Sequence, residues 1–540
     1  MKKIIKFNHI LGTFATMIFL LSFSACEEET LDLLPANSVA YTDAFSTAKM
    51  CELSMVGCYD AAQSGYYPGN SQRRGYPFGA ASIEQGDMRG EDMLNVQSFF
   101  AVTYQSTYSS SSPNGQAMWE CSYQMINKIN ICIEGFKMAG QLGTITPAKA
   151  LEYEAEARFL RALGFHELLI HFAYPYAHTA DASHMGIPVS IKPINSIETV
   201  EEAKSAGRAT VAQTYKQILE DLDFAEANLP ATRTGGLKIS RACSGAAIGL
   251  KTRIYQHMGK WDKVITESQK IVSSSFTSPI GGYKLTTEPN GPFRSNSSNT
   301  ESMFSIENNE LDNATNNGSL SQFYTKVRSL VCISPLIYNA DFWLATDKRR
   351  SQLVVNDVSY NSNFAYWVDK YNTYEKMTDW TPILRYAEVL LNYAEAEVRV
   401  NGVTQKAVDL LNQVRNRAVT ETANRFTLSN FTTPQSLMKA IFNERRIEFV
   451  GEGRRWADIH RLAKDPDYFV PALNNAPGVP AKVNTAKVTP AAWNAASGVV
   501  PASLLTVAAY PYSDKRFLWP IPDSETNTNE KLKSQQNPGW

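Results

Sequence analysis

His166-Glu167-Leu168-Leu169-Ile170-His171 is the first place where this chain could do chemistry, because two histidines bracket a glutamate on an apolar run. A zinc-protease helix needs its histidines four apart, about 40° around the axis, so that both face one metal. Here they stand five apart, about 140° around, and diverge. That spacing makes them core or groove histidines. The pair Gly451-x-Gly453 lacks the third glycine and the preceding strand of a dinucleotide site, and no P-loop or Gly-x-Ser-x-Gly elbow occurs. Asp312 to Gly318 is rich in oxygen ligands, but Asn317 stands where the glycine of an EF-hand belongs. No cofactor is expected, although that stretch leaves room for a loop-bound Ca²⁺. Glu444, Glu448 and Glu452 set like charges at i,i+4, with Arg445, Arg446, Arg454 and Arg455 close by as compensators. The block reads as fold support. A glycosidase needs only two carboxylates at a suitable separation, which spacing along a chain does not define.

The elements that must position these residues are helical. From Pro382, the residues Ile383, Ala387, Leu390, Leu391, Ala394 and Val398 form one apolar stripe. Arg385, Glu388, Asn392, Glu395 and Arg399 fall on the opposite stripe. Asn401-Gly402 stops that helix, and Thr404 caps its partner, which runs through Leu410, Leu411 and Val414. A second hairpin starts at a Ser240 cap, turns at Gly259 and returns through Trp261, Val264 and Ile271. Units of this size resemble tetratricopeptide repeats. Thr146 to Phe172 with Val211 to Leu229 forms a third pair, and its stretch from Phe159 to Phe172 is apolar nearly all round and should be buried. Thr42 to Gln63 and Gly115 to Met138 also read as helices. Residues 65–114, 275–380 and 465–515 are long, Ser-, Asn- and Gly-rich inserts with interspersed aromatics. Loops of that length inside a compact domain are usually functional.

The N-terminus is of another kind. Lys2, Lys3 and Lys6 precede an uncharged apolar run from Ile10 to Phe23, too short to span a bilayer, and Phe23-Ser24-Ala25-Cys26 follows. This resembles a bacterial lipobox, which implies a signal peptide over 1–25 and acylation of Cys26. Residues 26–41, beginning with Glu27-Glu28-Glu29 after the anchor, read as a solvated tether. The formal net charge of −1 gives nothing to attract a polyanion, so no nucleic-acid partner is expected. Cys51 and Cys58 lie two turns apart on one helix face, and buried free thiols are expected rather than a metal site.

Several segments, in order along the chain, resemble the SusD/RagB family. They include Asp32-Leu33-Leu34-Pro35, Glu156-Ala157-Arg158-Phe159-Leu160-Arg161, and Leu411-Asn412-Gln413-Val414-Arg415-Asn416-Arg417. Asn443-Glu444-Arg445-Arg446 with Gly451-Glu452-Gly453-Arg454-Arg455-Trp456 follows, then Leu518-Trp519-Pro520-Ile521-Pro522 and Asn537-Pro538-Gly539-Trp540. The resemblance implies one mostly α domain over 42–540, with TPR-like helical hairpins at about 146–274 and 382–462, long irregular inserts and little strand. It implies no enzyme, but an outer-membrane lipoprotein facing the exterior. Such a protein binds oligosaccharide or polysaccharide, or peptide in the RagB branch, for a SusC-like TonB-dependent transporter. It also places the ligand on an aromatic arc between the inserts at 65–114 and 275–380. There the chain offers Phe99, Tyr104 and Tyr108, with Tyr283, Phe293, Tyr324 and Trp343, and Asn95, Gln105 and Arg294 as polar partners. A flat ring suits the apolar face of a sugar, and amides or guanidinium suit its hydroxyl rim.

Overall fold

The computed structural model describes residues 43–65, 73–325, 328–494 and 500–540; Cys26, the signal peptide and the tether lie outside them. The fold is mostly α. Its principal helices are α1 (Ala48–Gln63), α2 (Ala80–Arg89), α3 (Pro113–Gln141), α4 (Pro147–Phe172), α5 (Val211–Asn228), α6 (Ser244–His257), α7 (Trp261–Ile271), α8 (Tyr386–Asn401), α9 (Gln405–Arg415), α10 (Pro434–Glu448) and α11 (Arg454–Leu462). Their starts follow from local chemistry. Thr47, Thr146, Thr210, Thr404 and Thr433 each accept a hydrogen bond from a first-turn N–H, and Pro147 and Pro434 occupy positions where the missing N–H costs nothing. Gly402, at φ 73°, ends α8. Successive antiparallel packing of α3 on α4, α4 on α5, α6 on α7 and α8 on α9 builds the hairpin scaffold. The second half of α4 is buried on every side, as its composition requires.

The strands are few and short: β1 (Met93–Asn95), β2 (Ser302–Ile306), β3 (Val331–Ile333), β4 (Val354–Asn356), β5 (Tyr366–Val368), β6 (Thr381–Arg385), β7 (Gly478–Val479) and β8 (Tyr510–Pro511). They form antiparallel pairs β1–β3, β2–β6, β4–β5 and β7–β8. The pair β1–β3, with Met93 opposite Ile333 and Asn95 opposite Val331, joins the first long insert to the second.

Three boundaries differ from the periodicity, the first being α1, which begins at Ala48 after a separate 3-10 turn at Asp43–Phe45 and not near Thr42. The stripe beginning at Pro382 is a strand up to Arg385, and the helix starts at Tyr386. Pro382 and β-branched Thr381 and Ile383 suit an extended segment, and β2 supplies its ladder partner. Ser240 closes a short turn of helix, and α6 begins after Cys243. The supposedly polar stripe of α8 is also buried. Glu388 accepts from Arg253 at 2.6 and 2.7 Å, Glu395 from Arg461 at 2.8 Å, and Asn392 from Arg445 at 2.7 Å. All six cysteines among the described residues are free and buried.

The glutamate row is neutralised, but from further along the chain than its spacing suggested. Glu444 pairs with Arg349 at 2.6 Å and Arg415 at 3.4 Å. Glu448 pairs with Arg385 at 2.8 Å and Arg417 at 2.6 Å, and Glu452 with Arg385 at 2.7 Å and Lys370 at 2.6 Å. Arg385 and Arg417 also clamp Glu301. The adjacent arginines take other partners instead: Arg445 pairs with Asp458, Arg446 with Asp92, and Arg455 with Glu91. Those last two contacts tie the insert containing β1 to α10 and α11.

Candidate functional site

The two inserts meet where β1 pairs with β3, and the site grows from that junction. Phe99 follows β1 by a few residues and is half-buried. Its ring centroid lies 4.6 Å from Phe100 and 6.2 Å from Phe323, a buried ring of the second insert. The Arg74 guanidinium sits 5.3 Å above the Phe99 ring, and that of Arg328 sits 5.2 Å above Phe323. A cation over a π-face is attracted by the ring quadrupole. Arg328 donates from Nη1 to Asn316 O at 2.8 Å and to Asn317 Oδ1 at 2.7 Å. The hydroxyl of Ser329 donates to the carbonyl of Tyr360 at 3.3 Å, bringing the loop between β4 and β5 alongside. The result is a half-exposed surface of aromatic carbon, two guanidinium groups and amides.

Beneath it lies α2, wholly buried. Its Gly86 faces Gly453 so closely that a Cβ on Gly86 would stand 2.2 Å from the Gly453 carbonyl, which fixes α2 against the turn between α10 and α11. Glu84 points into this layer with neither carboxylate oxygen hydrogen-bonded. Burial, then the neighbouring Asp87, pushes its carboxyl well above the usual range, and Arg328 pulls the other way. Burial likewise raises Asp87 to about 7, opposed by hydrogen bonds from the Tyr324 hydroxyl at 2.7 Å and the Gly453 N–H at 2.9 Å. Desolvation lowers Arg328, Glu84 raises it, and Arg74 lowers it as a like charge, so the three groups feel one another.

The expected aromatic arc needs correction. Tyr104, Tyr108, Tyr283, Phe293, Tyr324 and Trp343 are all core residues, from 0% to 6% exposed. Tyr104 donates to Val483 O at 2.8 Å, and Tyr108 donates to Arg516 O. Tyr283 packs against Gly245 and Gly281, Phe293 against Tyr371, Tyr324 against Asp87, and Trp343 against Tyr338. A ring sealed in this way has no face to offer a ligand. Arg294 is exposed but spent on Asp369, 2.6 Å away. Asn95 is buried in β1 with its Oδ1 unpartnered, and Gln105 is exposed. Of the ten candidates, Phe99 is the aromatic that reaches the surface. The residues that sequence reasoning missed are Arg74, Phe323, Arg328 and Tyr360. A search for cations next to aromatics in the inserts would have found three of them.

The diverging histidines behave as their spacing required. His166 packs edge-on against His257 at 4.6 Å, while His171 stacks on Trp519 at 4.6 Å. Among the described residues no cluster of three or more His, Cys, Asp or Glu could hold a metal. In the Asp312 stretch, Arg73 donates to Asp312 Oδ1 at 3.3 Å and to Asn313 O at 3.1 Å, placing a cation against those oxygens. A cavity of about 440 Å³ lies elsewhere, between α3 and residues 188–207, lined by Trp119, Tyr123, Pro188, Ile191, Glu525 and Leu532. That volume is in the range of small-molecule sites.

Comparison with known proteins places this architecture. A family model described as SusD family matches residues 355–540, and one described as starch-binding associating with outer membrane matches residues 57–256. A SusD-like protein of Formosa agariphila is 23% identical, covering 86% of this chain and 94% of its own length; a second from the same organism is 24% identical over 68% and 75%. The crystal structure of a SusD superfamily protein from Bacteroides fragilis superposes with a TM-score of 0.73 at 25% identity, covering 91% of this chain and all of that one. A surface glycan-binding protein from Bacteroides uniformis gives 0.65 at 18% identity, covering 91% and 99%. With the hairpin scaffold, the Arg–Glu block and the paired inserts in place, the chain belongs to the SusD/RagB family.

Proposed function

We propose that this protein captures oligosaccharide or polysaccharide at the cell surface and passes it, unaltered, to a SusC-like TonB-dependent transporter in the outer membrane. The observation that carries the reading is the surface at the β1–β3 junction. Phe99 brings half-buried aromatic carbon there, with the Arg74 guanidinium over its ring and Arg328 and Asn317 alongside, the pairing of apolar carbon and polar groups that a sugar needs. Membership of a family whose matching model is described as starch-binding supports the ligand class, and that same description supports association with the outer membrane. Acylation of Cys26 would supply the attachment, since no described helix is long and apolar enough to cross a bilayer.

Affinity electrophoresis of the full chain across a panel of host, algal and plant polysaccharides tests capture. Retardation by at least one polymer, relieved by Phe99→Ala, with no new reducing ends over time, is the expected result. Release of reducing ends would make the protein an enzyme. Binding of peptides in place of any glycan would make it a RagB-like peptide receptor. Binding that survives Phe99→Ala but quenches Trp119 fluorescence would move the ligand to the 440 Å³ cavity.

A further inference from the structure

From the space beneath the helix Ile197–Ser205, we infer a second binding site, which takes a small apolar molecule carrying a hydrogen-bond donor and turns away anions. The cavity of about 440 Å³ there shares no lining residue with the insert junction. Its frame is fixed before any ligand arrives. Tyr123, Asn127 and Asn130 stand at i, i+4 and i+7 on one face of α3, and each holds the strap 188–194 by its backbone. The Tyr123 hydroxyl donates to Pro188 O at 2.8 Å, and the Asn130 amide donates to Ser190 O and Lys192 O at 3.1 Å. Asn127 donates to Ile194 O at 3.0 Å and accepts from the Ile194 N–H at 2.7 Å. At the far end, the Asn529 amide donates to Ala203 O at 3.3 Å and to Ala206 O at 2.8 Å. The helix is thus tied through its backbone and the strap, and none of its residues is buried.

Thr199, Glu202, Ala203 and Ala206 recur at helical spacing and line the cavity from that helix. The two alanines leave open the room that larger side chains would fill. Pro188, Val189, Ile191 and Leu532 give the other walls an aliphatic surface, which rewards an apolar body. A mostly apolar lining with one or two convergent polar groups is the usual make-up of a small-molecule site. Glu525 is the polar group that would orient the ligand. Burial, then the adjacent Glu120, raises its carboxyl, the Trp119 N–H pulls the other way, and no cation is among the groups acting on it. Lys192, the lining cation, is exposed to solvent. A carboxyl so placed accepts from a hydroxyl or an ammonium group and repels a carboxylate.

The test titrates the full chain in detergent with para-fluorobenzyl alcohol, para-fluorobenzylamine and para-fluorobenzoate, followed by fluorine NMR line width against a detergent blank. Saturable binding of the alcohol or the amine, at least about ten-fold tighter than that of the benzoate, is expected. The alcohol and amine arms say which donor is read. Ala206→Trp fills the cavity from an exposed position and should abolish binding while the melting midpoint stays that of the parent. Should that midpoint fall, Ala203→Leu makes the same blockade from the preceding turn. Glu525→Gln should narrow the preference over benzoate. Phe99→Ala should leave this binding untouched, so the outcome is read apart from glycan capture. No saturable binding of either donor compound, benzoate bound as tightly as the alcohol and the amine, or binding that persists unchanged in a folded cavity-filling variant overturns the inference.

Discussion

The charge block behind α10 and the insert junction are built from the same residue types and treat them in opposite ways. In the block, Arg349, Lys370, Arg385, Arg415 and Arg417 face Asp347, Glu301, Glu444, Glu448 and Glu452, all buried or nearly so. The field of several cations, Arg417 and Arg385 first, outweighs burial and holds Glu448 far below the usual carboxylate range. At the junction, Arg328 has no carboxylate partner and Glu84 no donor, and burial drives Glu84 toward neutrality instead. A matched charge cluster costs much to desolvate and is intolerant of losing one member. Such a cluster locks a fold. Charges left unmatched at a surface are available to a ligand, whereas buried ones such as Arg89 and Lys482 are spent on backbone carbonyls.

The sharpest way to break this comparison is Arg385→Met. It leaves Glu301, Glu448 and Glu452 short of a partner and should destabilise the protein by about 3–5 kcal/mol, read as a large drop in thermal midpoint. A loss below about 1 kcal/mol would show the block to be decorative. Next comes a pH test of how strictly the core excludes charge. Burial, helped by Arg253, lowers His166 to about 3, so it stays neutral in the folded state while the unfolded chain takes up a proton below about 6.5. Its contribution is therefore complete above about pH 6.5 and is lost at about 1.4 kcal/mol per pH unit as pH falls toward about 3. Asp87, raised to about 7, works in the opposite sense across the same range. Melting curves of His166→Gln beside the parent isolate the histidine: the difference between them should narrow steadily on acidification, and a constant difference would refute the neutral assignment.

On the junction side, Phe99→Ala should weaken glycan binding about ten-fold, about 1.4 kcal/mol, with the melting midpoint nearly unchanged. Parallel losses of stability and binding would make Phe99 another core ring. The smallest effect belongs to Arg294→Ala. Its exposed pair with Asp369 should be worth less than about 1 kcal/mol, and binding should not change.

Much of the scaffold was legible because caps and stripes are local. Thr404 accepts the first-turn N–H that its sequence position called for, α4 starts where its segment was read to begin, and its all-apolar tail is buried. What was not legible depends on partners far along the chain. Arg385 looked like the polar face of a helix, yet it ends a strand, because β2, some eighty residues earlier, supplies the ladder. The glutamate row drew the wrong arginines for the same reason. The insert aromatics could not be sorted from sequence, since what covers Tyr324 and leaves Phe99 half-buried comes from segments far away in the chain. Arg328 was overlooked because its place over Phe323 shows only once the second insert is folded.

The segment 535–540 has a consequence for how the chain matures. Asn537 donates to the carbonyls of Phe172 and Trp519, Gln535 accepts from the Arg208 backbone, and Trp540 packs against Tyr108. The end of α4 therefore waits for residues made more than 350 positions later. That contact cannot form until Asn537 has been synthesised, so the end of α4 is completed late. Trimming these six residues should leave α4 frayed and the protein vulnerable to proteases.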